Sequence, residues 1–187
     1  SAISLDAASL HQNVLAALQK APPNQITNLA WQTYWSLLTP APQALVELRL
    51  QSLGIIGHLL AAARWAVSPI AVLDCTQDLD WDQQNECILA SEYVFLVVEQ
   101  INASVSVAFV LDGNSIHQII APTSQFTVGL SDPTEWENGL DPASIPGAFA
   151  DGQTYVLEYG NSSELVFHNA QQRKYIQLTP EGIRLDY

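Results

Sequence analysis

The sequence has few basic residues and little charge of either sign. Its 187 residues contain six Lys and Arg side chains against nineteen Asp and Glu, which gives a formal net charge of −13. Nucleic acids and anionic membranes present phosphate groups, and proteins that bind them need several Lys or Arg side chains to neutralise those charges. The sequence therefore predicts no binding to nucleic acid or to membrane surfaces, and it leaves a cationic protein surface as an acceptable partner.

Cysteine is almost absent too. Cys75 and Cys87 are twelve residues apart, which excludes the disulfide framework of small secreted domains and the CxxC spacing of redox and zinc motifs. We interpret the two residues as buried free thiols, with a redox-sensitive pair as the alternative because both border one connection. Free thiols are typical of the reducing cytoplasm, which is the location that we expect.

Long hydrophobic runs are missing as well. The most apolar stretch, Leu53 to Val67, spans about 15 residues and includes His58 and Arg64, whereas a membrane-spanning helix needs roughly 20 apolar residues. The N-terminus lacks the basic and apolar regions of a secretory signal. The stretch therefore predicts a buried helix, and both observations favour a cytoplasmic location.

Motifs of known catalytic chemistry do not occur. The four histidines, His11, His58, His117 and His168, are far apart in the sequence, and there is no HExxH, nucleophile elbow or phosphate-binding glycine loop. We therefore predict that the protein is not an enzyme and needs no cofactor. His58, which lies in the apolar stretch close to two glycines, is the histidine most suited to be a buried titrating group.

Acidic residues cluster between the two cysteines. Asp78, Asp80 and Asp82 have the alternate spacing of the first ligands in a calcium-binding loop, but Gln83 and Leu89 stand where such a loop needs Gly and Glu. We interpret the segment as a solvated acidic loop that precedes a helix. Weak divalent-cation binding by the three aspartates is the alternative, and no metal is predicted.

The hydrophobic periodicity changes along the chain and predicts the fold class. Apolar residues recur three and four apart over residues 4–67, as in amphipathic helices, and a further helix is expected at 83–90. Alternation with a period of two, as in strands, covers residues 92–120 and recurs near the C-terminus. The sequence therefore predicts an α+β protein in which a helical block, 1–68, packs on an antiparallel β-sheet formed by 69–187, as one compact unit.

Aromatic residues of the helical block are candidate ligand-binding residues. Trp31, Tyr34 and Trp35 lie at helical spacing, and Trp65 lies further along the block. Together they would line a pocket for a planar ligand between the helices and the sheet. Packing in the core is the interpretation that the spacing favours, because it is that of any buried helix face, and the pocket is the alternative.

Two glycines in the apolar helix indicate a close contact. Gly54 and Gly57 lie about one turn apart, with His58 and Ala61 beside them, and glycine inside a helix costs about 1 kcal/mol relative to alanine. A close approach of another backbone would offset that cost. We consider tight packing within the chain, a subunit interface formed by these four residues, and a ligand lying over the glycines.

Two segments resemble a known family. Ser68-Pro-Ile-Ala-Val-Leu-Asp74 and the alternating stretch Glu92 to Phe109 are similar to the DICT-like input modules of cyanobacterial two-component proteins. The resemblance covers about residues 40–130 and consists of hydrophobic pattern, without a signature motif. It implies a non-catalytic sensing or docking domain in signal transduction. The chain ends in predicted strands without an output domain, so no functional residue is carried over.

These observations favour a non-enzymatic regulatory or assembly protein that binds another protein or a second copy of itself. A ligand-sensing module with the aromatic-lined pocket is the second hypothesis. A hydrolase that uses carboxylates of the 74–86 and 132–141 loops is the third, although none of the spacings in those loops predicts a substrate.

Overall fold

The computed structural model describes residues 7–38, 46–121, 140–146, 151–180 and 182–187. The described part contains three helices, α1 (Ala7–Lys20), α2 (Gln25–Leu37) and α3 (Val46–Trp65). Six strands form the first sheet: β1 (Val72–Gln77), β2 (Glu86–Ala90), β3 (Val94–Glu99), β4 (Val105–Asp112), β5 (Ser115–Ala121) and β6 (Leu140–Pro146). Four strands form the second sheet: β7 (Val156–Asn161), β8 (Glu164–His168), β9 (Arg173–Thr179) and β10 (Gly182–Asp186).

Helix α1 buries the stripe that its periodicity predicts. Leu10, Val14 and Leu18 form the buried face of α1, because residues three and four apart lie on one side of a helix. Asn24 caps α2: its side chain accepts a hydrogen bond from the Thr27 N–H at 3.0 Å. The same side chain donates to the carbonyl of Ala63 at 2.8 Å, which ties the start of α2 to the end of α3.

The first sheet lies between two apolar layers. Strands β1 to β5 pair as antiparallel neighbours in chain order, and β6 pairs parallel to β5. Alternate residues of the central strands face opposite ways, so that one face packs on the helices and the other on the second sheet. On β3, for example, Phe95 and Val97 belong to the helical core, whereas Leu96 and Val98 pack with the second sheet.

The second sheet is held against the first by polar contacts as well as by its apolar face. Lys174 of β9 is fully buried, and its Nζ donates to the carbonyl of Asn102 at 3.1 Å and forms an ion pair with Asp151 at 3.2 Å. The N–H of Tyr155 donates to the carbonyl of Ile101 at 2.6 Å. The second sheet therefore contacts the β3–β4 turn directly.

The predicted α+β class is confirmed, with the helices at the N-terminal end, but two details were wrong. The strands form two sheets, so the second face of the first sheet is also covered. Residues 83–90 do not form a helix, since Glu86–Ala90 is strand β2 and is buried throughout. A strand with both faces covered has consecutive apolar residues, and this removes the alternation by which strands are recognised.

The prediction of free thiols was also wrong. Cys75 and Cys87 form a disulfide that joins β1 to β2. These strands are antiparallel neighbours, with Asp74 opposite Ile88, so residues twelve apart in the sequence meet across the pair. The alternative interpretation, in which the two cysteines pair because both border one connection, agrees with this contact.

The apolar stretch that begins at Leu53 lies in α3 up to Trp65 and is mostly buried there, as expected, whereas Arg64 and Val67 are exposed. Within the described ranges, none of the helices has the length and apolar character needed to cross a lipid bilayer.

Candidate functional site

The loop between β1 and β2 lies directly on α3, at its two glycines. A Cβ atom added to Gly57 would lie 1.7 Å from the carbonyl oxygen of Leu79, and one added to Gly54 would lie 3.0 Å from both the Cβ and the carbonyl oxygen of Asp80. Only glycine permits this approach of the loop backbone, which explains why two glycines are tolerated inside a helix.

The predicted interface residues therefore face the chain itself. Gly54 and Gly57 are buried beneath the loop, and His58 and Ala61 are buried as well. Of the three interpretations of these glycines, close packing within the chain describes the contact that is observed.

Aspartate side chains hold the loop in its conformation. Asp78 accepts a hydrogen bond from the Gln83 N–H at 3.0 Å, and Asp80 accepts one from the Asp82 N–H at 3.1 Å. Asp82 itself is exposed and accepts two hydrogen bonds from Gln84. Asp78 and Asp80 are thus drawn against the protein, whereas Asp82 remains at the surface.

Three ionisable side chains meet underneath the loop. Glu86 is 0% exposed, and its Oε2 accepts a hydrogen bond from the Leu79 N–H at 2.6 Å. His58 is 1% exposed, and its Nε2 lies 4.0 Å from Glu86 Oε2 and 3.9 Å from Glu99 Oε1. Glu99 is partly buried and accepts a hydrogen bond from the Ser106 hydroxyl. We call Asp78, Asp80, Glu86, Glu99 and His58 the buried polar cluster.

Burial changes the proton affinity of this cluster. Desolvation, with smaller contributions from neighbouring carboxylates, raises the pKa of Glu86 to about 8 and that of Asp80 to about 7. Burial also raises the pKa of Glu99. Desolvation lowers the pKa of His58 to about 4, so its imidazole is neutral at pH 7 and the short distances to the two glutamates are not ion pairs.

The cluster has the composition of a cation site or of a proton-binding site. Asp78, Asp80 and Glu86 each offer one carboxylate oxygen, and these oxygens all lie within 4.8 Å of one another. The sequence singled out the first two of these residues but took Asp82 as the third. Glu86 was missed because its segment was assigned to a helix, so its register opposite Glu99 was not considered.

The predicted aromatic set divides into two locations. Trp31, Tyr34 and Trp35 of α2 contact one another, and the rings of Trp31 and Trp35 stack with centroids 5.9 Å apart. Trp65 lies in the core, where its Nε1 donates to the carbonyl of Ser91 and its ring packs on Phe95. Tyr34 is also buried, with its ring against His11 of α1.

An aromatic patch remains exposed on α2. Trp35 is 59% exposed and Leu38 is 45% exposed, and Trp31 is partly buried beside them. We call Trp31, Trp35 and Leu38 the α2 aromatic surface. It is the one part of the predicted aromatic set that a second molecule can reach in this conformation.

Comparison of the chain with known protein families, curated proteins and solved structures finds no match. Any function must therefore be argued from the residues themselves.

Proposed function

We propose that the protein acts without catalysis, by binding a partner protein through the α2 aromatic surface. The observation that carries this proposal is the exposure of Trp35, which is 59% accessible although its ring is stacked on Trp31. Tryptophan is the residue most enriched among those that contribute strongly to protein interfaces, and a stacked pair is already fixed before the partner arrives.

The partner that suits this surface is a basic protein. The chain has a net charge of −13. Two copies of the chain would therefore repel each other, whereas a basic protein surface would be attracted. Charge complementarity mainly accelerates association and selects the partner, and the apolar contact with Trp35 supplies the affinity.

The buried polar cluster supports a non-catalytic role. His58 and Glu86 are almost completely buried under the β1–β2 loop, where a substrate would reach them only if the loop left α3. The hydrolase hypothesis also relied on residues 132–141, of which 132–139 lie outside the described residues.

The ligand-sensing hypothesis has weaker support. It needs Tyr34 and Trp65 to line one pocket, but Tyr34 packs against α1 and Trp65 packs against the first sheet. A role in signal transduction, as the resemblance to DICT-like modules implies, is compatible with a protein-binding function. For the location, the Cys75–Cys87 disulfide favours an oxidising compartment over the cytoplasm that the sequence predicted.

A comparison of two exposed aromatic residues tests the proposal. The wild-type chain, Trp35→Ser and Tyr93→Ser are each used as bait in an extract of the source organism, and the captured proteins are quantified by mass spectrometry. Tyr93 is 64% exposed and lies in the β2–β3 turn, so its variant controls for the loss of any exposed ring. We expect a basic protein that the wild type and Tyr93→Ser capture equally and Trp35→Ser captures at least tenfold less.

Binding of the purified candidate, measured by titration calorimetry, then separates the outcomes. A Kd raised at least tenfold by Trp35→Ser alone supports the proposal. Equal losses of affinity in both variants would indicate non-specific adhesion and contradict the proposal. A wild-type chain that sediments as a dimer, and that Trp35→Ser dissociates, would show that the surface binds a second copy of the chain and not a basic partner.

A further inference from the structure

We propose that the buried polar cluster is a divalent-cation site, in which Asp78, Asp80 and Glu86 supply oxygen ligands and His58 supplies a nitrogen from the inner side. The site is separate from the α2 aromatic surface and does not depend on the function proposed there. It would fix the β1–β2 loop to α3 by a metal ion.

The distances between the ligand atoms suit one ion. Oxygen and nitrogen ligands lie about 2.0–2.6 Å from divalent cations, so ligands on opposite sides of an ion are about 4–5 Å apart. The oxygens of Asp78, Asp80 and Glu86 lie within 4.8 Å of one another, and His58 Nε2 lies 4.0 Å from Glu86 Oε2. The separation of His58 Nε2 from Glu86 Oε2 is too long for a hydrogen bond, and all of these separations are compatible with ligands of one ion.

The second observation is the lack of partners at His58. Its side chain is 1% exposed, yet neither Nδ1 nor Nε2 has a hydrogen-bond partner among the described residues. A buried polar group without a partner typically costs about 1–3 kcal/mol, and such groups are rare in native proteins. Its Nε2 lies 4.0 Å from Glu86 Oε2, and a cation beside that carboxylate would give this nitrogen a partner.

Two of the three carboxylates, Glu86 and Asp78, likewise each have one buried oxygen without a hydrogen-bond partner in the described part of the chain. Glu86 uses Oε2 to hold the Leu79 N–H, while its buried Oε1 has no hydrogen-bond partner in the described part of the chain. Asp78 uses Oδ2 to hold the Gln83 N–H, while its Oδ1 is likewise buried without one. Backbone hydrogen bonds thus orient these side chains and leave oxygens free for an ion, as second-sphere contacts do in metal sites.

The mixture of ligands indicates the class of cation. Mg²⁺ and Ca²⁺ take oxygen ligands, whereas imidazole favours first-row transition ions, and Mn²⁺ accepts both carboxylate and imidazole. We therefore infer that Mn²⁺ or a similar first-row dication binds more tightly than Ca²⁺. His58 decides this preference.

The test uses the full chain, stripped with EDTA and titrated with MnCl₂ while free Mn²⁺ is followed by electron paramagnetic resonance. The variants are Glu86→Gln, which keeps an acceptor for the Leu79 N–H, and the control Glu92→Gln. Glu92 is exposed beyond the opposite end of β2, so both variants replace one carboxyl group by an amide, one inside the proposed site and one outside it. Circular dichroism and melting without metal establish that each variant is folded.

We expect one Mn²⁺ per wild-type chain, a Kd at least tenfold higher in Glu86→Gln, and no change in Glu92→Gln. No saturable binding to the wild type, or equal weakening in both variants, would overturn the site in favour of diffuse attraction by surface charge. Parallel titrations with CaCl₂ test His58: His58→Gln should weaken Mn²⁺ at least tenfold and leave Ca²⁺ within about twofold. If His58→Gln weakened the binding of both ions equally, His58 would not be a ligand of the ion.

Discussion

At the scale of single residues, the protein buries two ionisable side chains next to each other, which is energetically unfavourable. Glu86 and His58 are both buried within 4.0 Å of each other, and neither neutralises the other, since burial raises the pKa of the first to about 8 and lowers that of the second to about 4. Buried ionisable groups shifted in this way are more frequent at functional sites than elsewhere. They also make the stability of the fold depend on pH.

The sign of that dependence follows from each shift. The pKa of Glu86 is higher in the folded state, so its contribution to stability is complete below its usual pKa of 4.5 and is lost as the pH rises through about 8. The pKa of His58 is lower in the folded state, so its contribution is present above its usual 6.5 and is lost as the pH falls through about 4. Above pH 6.5 the contribution of His58 is complete, and only the losses from Glu86 and from Asp80, whose pKa is raised to about 7, remain. The stability of the metal-free protein should therefore fall as the pH rises from 6.5 to 8.

Glu86→Gln should reduce the alkaline side of this dependence. Between pH 6 and 8.5, we expect the free energy of unfolding of the metal-free wild type to fall by on the order of 2 kcal/mol more than that of the variant, in which Asp80, with its pKa raised to about 7, still titrates. Urea denaturation at several pH values, in EDTA, measures both. An equal decrease in the two proteins would assign the pH dependence to other groups.

Gly57 tests the contact between α3 and the loop. Gly57→Ala would place a Cβ 1.7 Å from the Leu79 carbonyl oxygen, so the loop must move, and we expect a loss of about 2–4 kcal/mol despite the better helix propensity of alanine. Gly54→Ala is the matched control, because its Cβ would lie 3.0 Å from Asp80 and needs only a small adjustment. In thermal melting, the melting temperature of Gly57→Ala should be well below that of Gly54→Ala. The reverse order would mean that the loop is not held on α3 at Gly57.

At the scale of elements, the sequence predicted what its periodicity could reveal. The buried stripe of α1 follows from local spacing and is found at the expected positions. The aromatic face predicted for α2 is divided, since Tyr34 is buried and Trp35 is exposed. Strand β2 was missed because it is covered on both faces. That burial depends on the second sheet, which lies more than 60 residues further along the chain and leaves no local signal.

The candidate site was only half predictable for the same reason. Asp78 and Asp80 were identified from their spacing, since loop residues close in sequence stay close in space. Glu86 and Glu99 come together only through the pairing of β2 with β3, and His58 joins them from α3. Without a match to known families, no pattern in one sequence links these three elements.

At the scale of elements, the stabilising effect of the disulfide between β1 and β2 can be tested. Cys75–Cys87 closes the chain around the β1–β2 loop, and a cross-link of about this loop length contributes roughly 2–4 kcal/mol to stability. We expect reduction to lower the urea midpoint accordingly, measured with and without dithiothreitol. The double variant Cys75→Ala/Cys87→Ala should resemble the reduced protein and show no response to reductant; an oxidised wild type no more stable than this variant would contradict the assignment.

At the scale of the whole molecule, the fold has three layers, and the two proposed sites lie in different parts of it. The helices cover one face of the first sheet and the second sheet covers the other, so the polar cluster lies inside the fold while the α2 aromatic surface lies on its outside. An ion bound between the loop and α3 would stabilise the helical layer on the sheet without altering the surface of α2. This separation allows each proposal to fail without the other.

The central claim is that the buried polar cluster holds a metal ion, and crystals soaked in MnCl₂ test it most directly. Anomalous diffraction at a wavelength where Mn scatters should reveal a peak between the carboxylates of Asp78, Asp80 and Glu86, within about 2.5 Å of each, with His58 Nε2 on its inner side. Peaks confined to exposed carboxylates such as Glu92, with none beneath the loop, would contradict the account.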